Sequence, residues 1–168
     1  AKIHQNLKKK YNNILTIIIP RHINRTNEIK KKIEELGLVV SLRSSNKKIK
    51  KNTDIYLVDT YGETKKFLKI SKAVFIGGSM INHGGQNPLE AARYGIPVIF
   101  GPYIQNFTEV YNLVEKIGAG QKVLNLTQIL KKLTFFLTKK KKIKTIKKLK
   151  ILGNKILNEY YSEIVKLH

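Results

Sequence analysis

The feature that most constrains this chain is the run Ile14-Leu15-Thr16-Ile17-Ile18-Ile19, closed by Pro20. It is too short for a buried helix and lacks the polar–apolar alternation of a half-solvated strand. Such a run suits a strand buried on both faces of a parallel sheet. The pattern then repeats. Residues 24–36 turn helical, with Ile29, Ile33 and Leu36 on one face and Gly37 as a stop. Strands follow at 38–42 and 55–58, separated by the polar, lysine-rich stretch 44–52. Next come a short helix over 63–71, a strand over 73–76, a helix over 87–94 led by Pro88 and stopped by Gly95, and a strand over 97–100. A helix over 106–117 ends at Gly118, and 122–124 reads as a last short strand before helical sequence takes over. Strands and helices taking turns at this spacing make βαβ units around a parallel sheet, an α/β Rossmann-like fold with helices on its faces.

The flanks differ in texture. Residues 1–13 are polar and basic and read as a linker or a frayed helix, which leaves 14–138 as the folded domain. Over 139–168, Ile143, Ile146, Leu149, Leu152, Ile156, Tyr160 and Ile164 recur at three- and four-residue steps, the stripe of an amphipathic helix packing on that domain. Nine lysines lie between Lys139 and Lys155 with no acidic residue among them. Two readings of that basic face stay open: a solvated outer surface, or one that meets anionic lipid headgroups.

Charge sharpens the question. Of 168 residues, 33 are Lys or Arg against 11 Asp or Glu, a formal net charge of +22. Arginine supplies only four of those cations, Arg21, Arg25, Arg43 and Arg93. Readers of nucleic acid favour arginine for its forked contacts, so no specific nucleic-acid partner is expected. Lys, Ile and Asn share A/T-rich codons, and compositional drift supplies as good a source of the excess as a functional basic surface. Cysteine is absent, which excludes disulfide scaffolds, thiolate metal sites and cysteine nucleophiles. No apolar run is long enough to span a bilayer and no signal peptide opens the chain, so a cytosolic setting is expected.

In an open parallel sheet, ligands bind beyond the carboxyl ends of the strands. The polar and glycine-rich residues of this chain fall there: Pro20-Arg21-His22, Tyr61-Gly62-Glu63, Gly77-Gly78-Ser79, Gly84-Gly85-Gln86-Asn87-Pro88-Leu89-Glu90 and Gly101-Pro102. Glycines let backbone N–H groups approach a phosphate, and a helix N-terminus adds its positive end. Asn87 stands where it can cap the helix that Pro88 begins, with Glu90 three residues on. That spacing has two readings: a capping pair with no ligand, or a Glu90 carboxylate on vicinal ribose hydroxyls. Arg21 can pair with a phosphate in a fork that lysine cannot copy. His22 and His83 read as hydrogen-bonding or packing residues rather than catalysts. No metal-ligand spacing, Ser/His/Asp arrangement, GxxxxGK[ST] loop or GxGxxG after the first strand is present. The edge is equipped for a nucleotide and lacks an evident catalytic base.

Taken in order, these motifs, with Asp59-Thr60 before Tyr61 and Phe75-Ile76 before Gly77, resemble the C-terminal half of the Kdo (3-deoxy-D-manno-octulosonic acid) transferases of lipopolysaccharide synthesis. The resemblance runs over about 14–120 and implies the donor-binding half of a GT-B glycosyltransferase. It implies CMP-Kdo as donor and a lipid A precursor as acceptor, in an inverting reaction needing no metal or other cofactor. By analogy Pro20, Arg21 and the Tyr61-Gly62-Glu63 turn contact the cytidine monophosphate. Asn87, Pro88, Leu89 and Glu90 then hold ribose and phosphate, while Gly77, Gly78 and Ser79 leave room for the sugar. The family usually has Met where Tyr61 stands and Pro-Glu-Arg where Ile23-Asn24-Arg25 follow, so no role carries over to the latter. Its general base, a glutamate of the N-terminal domain, has no counterpart here, so the chain reads as a donor-binding half that transfers nothing by itself. The implied setting is the cytoplasmic side of a bacterial inner membrane. The remaining alternatives are a GT-B domain for a UDP-sugar and a non-enzymatic basic module that binds nucleic acid or membrane.

Overall fold

The computed structural model describes residues 1–138 and, beyond them, Lys147, Leu149, Lys150, Ile151 and Asn154. The chain forms two compact units, 1–67 and 68–168, so the single domain expected over 14–138 runs across both.

The first unit holds α1 (Lys2–Lys8), β1 (Thr16–Ile18), α2 (Thr26–Glu34), β2 (Val40–Leu42), β3 (Ile55–Leu57) and the start of α3 (Thr64–Ile70). Its strands pair in parallel in the order β1-β3-β2, with Thr16, Ile17 and Ile18 opposite Ile55, Tyr56 and Leu57. As the central strand, β3 is buried at every residue, whereas β1 and β2 are only half-buried. Ile33, Leu38 and Ile55 form its core, flanked by Ile18, Ile29 and Val40. These are the apolar positions that the helical and strand periodicities single out.

The segment expected to be a linker or frayed helix is instead a docked one. In α1, His4 is 1% exposed and Leu7 is 4% exposed. The His4 ring meets Thr16 Oγ1 at 2.9 Å and Asp54 Oδ1 at 3.2 Å. Asp54 also accepts from Lys8 and, at 2.9 Å, from the Val39 amide. Burial raises the Asp54 carboxyl, but the bonds from Lys8, Val39 and His4 outweigh it and hold the group below its ordinary value. Burial lowers His4 more than Asp54 raises it, which favours the neutral ring.

The second unit holds β4 (Val74–Phe75), α4 (Leu89–Arg93), β5 (Val98–Phe100), α5 (Thr108–Lys116), β6 (Gly120–Lys122) and α6 (Leu126–Thr138). Its sheet is also parallel, in the order β4-β5-β6, with β5 buried throughout. The hydrogen-bonded ladder therefore comes as two three-stranded sheets, one in each unit, where the sequence suggests one. Phe100 packs against Tyr111 with ring centroids 4.6 Å apart, in a core shared with Ala91, Ala92, Ile96, Val98 and Val114. At the start of α6, Asn125 Oδ1 accepts from the Gln128 amide while Gln128 Oε1 accepts from the Leu124 amide, a reciprocal cap. Leu149 is partly buried against the second unit's core; the rest of the amphipathic stripe read over 139–168 lies outside the described residues, apart from the exposed Ile151. Among the described residues, no helix is long and apolar enough to cross a membrane.

Candidate nucleotide-binding loops

In the first unit, all three strands run the same way, so the loops that follow them leave one edge. After β1, Pro20 is half-buried and Arg21 is exposed. The Arg21 guanidinium has no hydrogen bond or ion pair among the described residues, which leaves its five N–H donors available to an anion.

The loops after β2 and β3 brace each other. Arg43 Nε and Nη2 donate to Glu63 Oε2 and Oε1 at 2.9 and 3.1 Å, a forked pair, and Nη1 donates to Asn46 Oδ1 at 3.1 Å. Glu63 also accepts from the Thr60 hydroxyl at 2.5 Å and from Lys66 at 3.2 Å. The Arg43 and Thr60 bonds hold the Glu63 carboxyl at about 2, from an ordinary 4.5. A second brace joins the same loops, since Asp59 accepts from the Ser44 amide at 2.8 Å and from the Ser44 hydroxyl at 2.6 Å. Burial raises Asp59, and those Ser44 bonds outweigh it and lower the group. Between Thr60 and Glu63 the chain turns tightly. Gly62 sits at φ +77°, a conformation that a Cβ disfavours, and Tyr61 is thrust outward with 74% of its surface exposed. The carboxylate of Glu63 is thus a brace; only the backbone of this turn and the Tyr61 side chain face solvent.

In the second unit the parallel strands again send the loops after β4 and β5 from one edge. A Cβ on Gly77 would meet open space. Ser79 departs from a ligand-facing role. It is fully buried, and its hydroxyl donates to Ile76 O at 2.6 Å and accepts from the Gly101 amide at 2.8 Å. Together with the bond from the Tyr103 amide to Ser79 O at 3.0 Å, this staples the β4 loop to the β5 loop. Gly101 is required there, because a Cβ would run into the Ser79 carbonyl.

The Gly84-Gly85-Gln86 segment rests on residues that periodicity alone does not reveal. Tyr111, on α5, donates its hydroxyl to Gln86 O at 2.6 Å, and burial pushes its phenol up to about 12. Asn106 donates to His83 O at 2.9 Å, and its amide donates to Gly84 O at 3.3 Å. Downstream, Asn87 Oδ1 accepts from the Leu89 amide at 2.9 Å and Pro88 is buried. That bond is an Asx turn leading into α4; Pro88, not Asn87, is the N-cap, and no side chain caps the helix, so the expected capping pair does not form. The half-buried Glu90 carboxylate has no hydrogen bond or ion pair among the described residues. Since α4 spans only five residues, its dipole is short, and side chains and individual amides must carry any anion contact. The rings of His22 and His83 are exposed and make no hydrogen bond among the described residues. No three His, Asp or Glu side chains gather as metal ligands among the described residues.

Parallel sheets flanked by helices, with glycine-rich loops at the carboxyl ends of their strands, define an α/β fold class. The C-terminal CMP-Kdo binding domain of WaaA from Acinetobacter baumannii has this fold. It superposes with a TM-score of 0.78 at 24% identity, over 93% of this chain and 80% of that one. By sequence the chain is a homologue of the Kdo transferases. The 3-deoxy-D-manno-octulosonic acid transferase of Aquifex aeolicus is 36% identical over 147 residues, 88% of this chain and 40% of that protein. That of Haemophilus influenzae is 35% identical over 116 residues, 69% of this chain and 27% of that protein. That of Rickettsia felis is 34% identical over 170 residues, 98% of this chain and 36% of that protein. The chain thus spans two fifths or less of these relatives. No protein-family model matches it.

Proposed function

We propose that this chain is the donor-binding part of a Kdo transferase and binds CMP-Kdo through its strand-end loops. The observation that carries the reading is a division of labour among the polar groups. Glu63, Asp59, Ser79, Asn106 and Tyr111 are committed to bracing the loops, while Arg21 and Glu90 are left without partners. A guanidinium and a carboxylate at loops of this class match a phosphate and a ribose diol respectively. In the first unit, Arg21 beside Pro20 takes the phosphate, and the Tyr61-Gly62-Glu63 turn adds contacts from its backbone and ring. In the second, Asn87, Pro88, Leu89 and Glu90 hold the ribose and its phosphate. Gly77 and Gly78 leave space for the sugar, with Ser79 holding them in place.

In the proposed reaction an acceptor hydroxyl, its proton taken by a base that none of these residues supplies, attacks the anomeric carbon of Kdo, and the bond to CMP breaks with its electrons leaving on the phosphate. Arg21 stabilises the charge that develops there, so the reading needs no metal. No residue of this chain is assigned as the base. A lipid A precursor as acceptor, and a place on the cytoplasmic face of a bacterial inner membrane with its anionic lipids, follow from kinship with the Kdo transferases and belong to the same proposal.

Calorimetric titration of the chain with CMP tests it. Glu90→Ala should weaken CMP binding by about tenfold or more, a charge-assisted bond's worth, with an unchanged melting temperature. Loss of the fold with CMP affinity spared in the folded fraction would reduce Glu90 to a helix-start residue and remove this support.

A further inference from the structure

Arg43 lies outside every ligand motif of the sequence, yet it supplies two of the four hydrogen bonds that converge on Glu63. It leaves the carboxyl end of β2 and spans to the loop after β3, where its fork grips both oxygens of Glu63. Both partners are largely shielded, with 32% and 14% of their side chains exposed. The geometry is fixed from behind as well. Nη1 holds Asn46, a residue at φ +51° where non-glycine residues are uncommon, and Ser44 ties the same loop to Asp59. On the other side Glu63 takes the Thr60 hydroxyl, so both ends of the four-residue stretch Thr60-Tyr61-Gly62-Glu63 are held by one carboxylate. A turn that contains a positive-φ glycine has an entropic cost to order, and inside the stretch the Thr60–Glu63 bond opposes it, while a Cβ at Gly62 would have no neighbour within 4 Å. The forked bond from Arg43, at the end of β2, adds a second hold on the same carboxylate from outside the turn.

We propose that Arg43 is a positioning residue for the nucleotide site: through Glu63 it holds the Tyr61-Gly62 turn in the shape that receives the donor. The inference rests on the proposed function and deepens it. Arg43 touches no ligand itself. It acts by presenting the Tyr61 and Gly62 backbone at a fixed height above the strand ends, with Tyr61 projecting from a rigid mount. Lysine keeps the charge and not the fork, so it restores only part of the effect.

The test uses the full chain in three forms: wild type, Arg43→Met and Arg43→Lys. CMP affinity is measured by calorimetry, and the order of Tyr61 and Gly62 by backbone 15N relaxation without ligand. Arg43→Met should bind CMP about ten- to a hundredfold more weakly, the range for a displaced positioning contact, with Arg43→Lys between it and wild type. Tyr61 and Gly62 should become mobile in Arg43→Met while β1 and β3 stay ordered. Wild-type affinity in Arg43→Met, or a turn that remains rigid, overturns the proposal. Should Arg43→Met not fold, Arg43→Lys decides it: the intermediate affinity and partial mobility support the brace, and wild-type values in both overturn it. If the wild-type chain binds no CMP, the proposed function fails, and the relaxation data alone still decide whether Arg43 orders the turn.

Discussion

Replacing Ser79 by alanine should show how much of the second unit's loop edge, the proposed binding edge, hangs on one hydroxyl. The side chain is fully buried and makes two bonds at once, to Ile76 O at 2.6 Å and from the Gly101 amide at 2.8 Å. Alanine fits the space but leaves a carbonyl and an amide buried without partners. Each such group costs about 1–3 kcal/mol, so the pair comes to about 2–4 kcal/mol once some rearrangement is allowed. That is a large share of the ~5–15 kcal/mol that holds a typical domain together. The direct assay is hydrogen exchange at the Gly101 amide, whose acceptor among the described residues is removed. At about 1.4 kcal/mol per factor of ten, its protection should fall by roughly 30- to 700-fold. The amides of β3, in the other unit, serve as the internal control and should not change. In thermal unfolding the same loss should lower Tm by roughly 4–16 °C, at about 2–4 °C per kcal/mol for a chain of this size. A Gly101 amide as protected as in wild type would refute the staple, and with it the view that Ser79 frames the site without facing the ligand.

Tyr111→Phe removes the hydroxyl that supports Gln86 and should cost about 1–3 kcal/mol in urea unfolding. In an alkaline absorbance titration, one of the eight tyrosines should ionise late, near 12, and Tyr111→Phe should remove that step. Because the folded phenol is the raised one, its contribution to stability is complete below pH 10 and is lost as pH climbs towards 12. Glu63 runs the other way: its folded carboxyl at about 2 contributes above pH 4.5, and the contribution drains as pH falls towards 2. NMR titration of the Glu63 carboxyl in Arg43→Met should find that group shifted back up towards 4.5. Asp54→Ala leaves the Val39 amide and the buried His4 ring without their acceptor and should destabilise the first unit by about 2–4 kcal/mol, read by urea unfolding.

The layout of strands and helices was legible because it is written in local periodicity. Ile14–Ile19 announces β1, Ile29 and Ile33 announce the inward face of α2, and each glycine stop falls within a few residues of a helix end. The loops were legible for a similar reason, since glycine, proline and asparagine mark turns wherever they cluster. What could not be read were the polar contacts between distant positions. His4 with Asp54, Arg43 with Glu63, Ser79 with Gly101 and Tyr111 with Gln86 are separated by 50, 20, 22 and 25 residues. No hydrophobic pattern records such a pair, because each partner alone reads as an ordinary polar residue. Residues 1–13 show the same limit: a basic, polar segment reads as a linker or frayed helix, and its docking is visible only once Asp54 is seen to receive both His4 and Lys8. Asn87 and Glu90 show the converse limit. Their spacing fits a capping pair, and only the side-chain geometry shows that Asn87 makes an Asx turn ahead of the helix while Glu90 stays free.

The lysine excess is secondary to this account. The motif loops carry almost none of it, and the charges that matter to the proposal are Arg21, Arg43 and Glu63 in the first unit and Glu90 in the second. The most direct test of the central claim compares nucleotides on the unmodified chain. Titrated under identical conditions, CMP should bind at least about tenfold more tightly than UDP, a difference of about 1.4 kcal/mol, and Arg21→Ala should erase most of the CMP affinity. Equal affinity for the two, or a preference for UDP, would contradict a CMP-sugar donor.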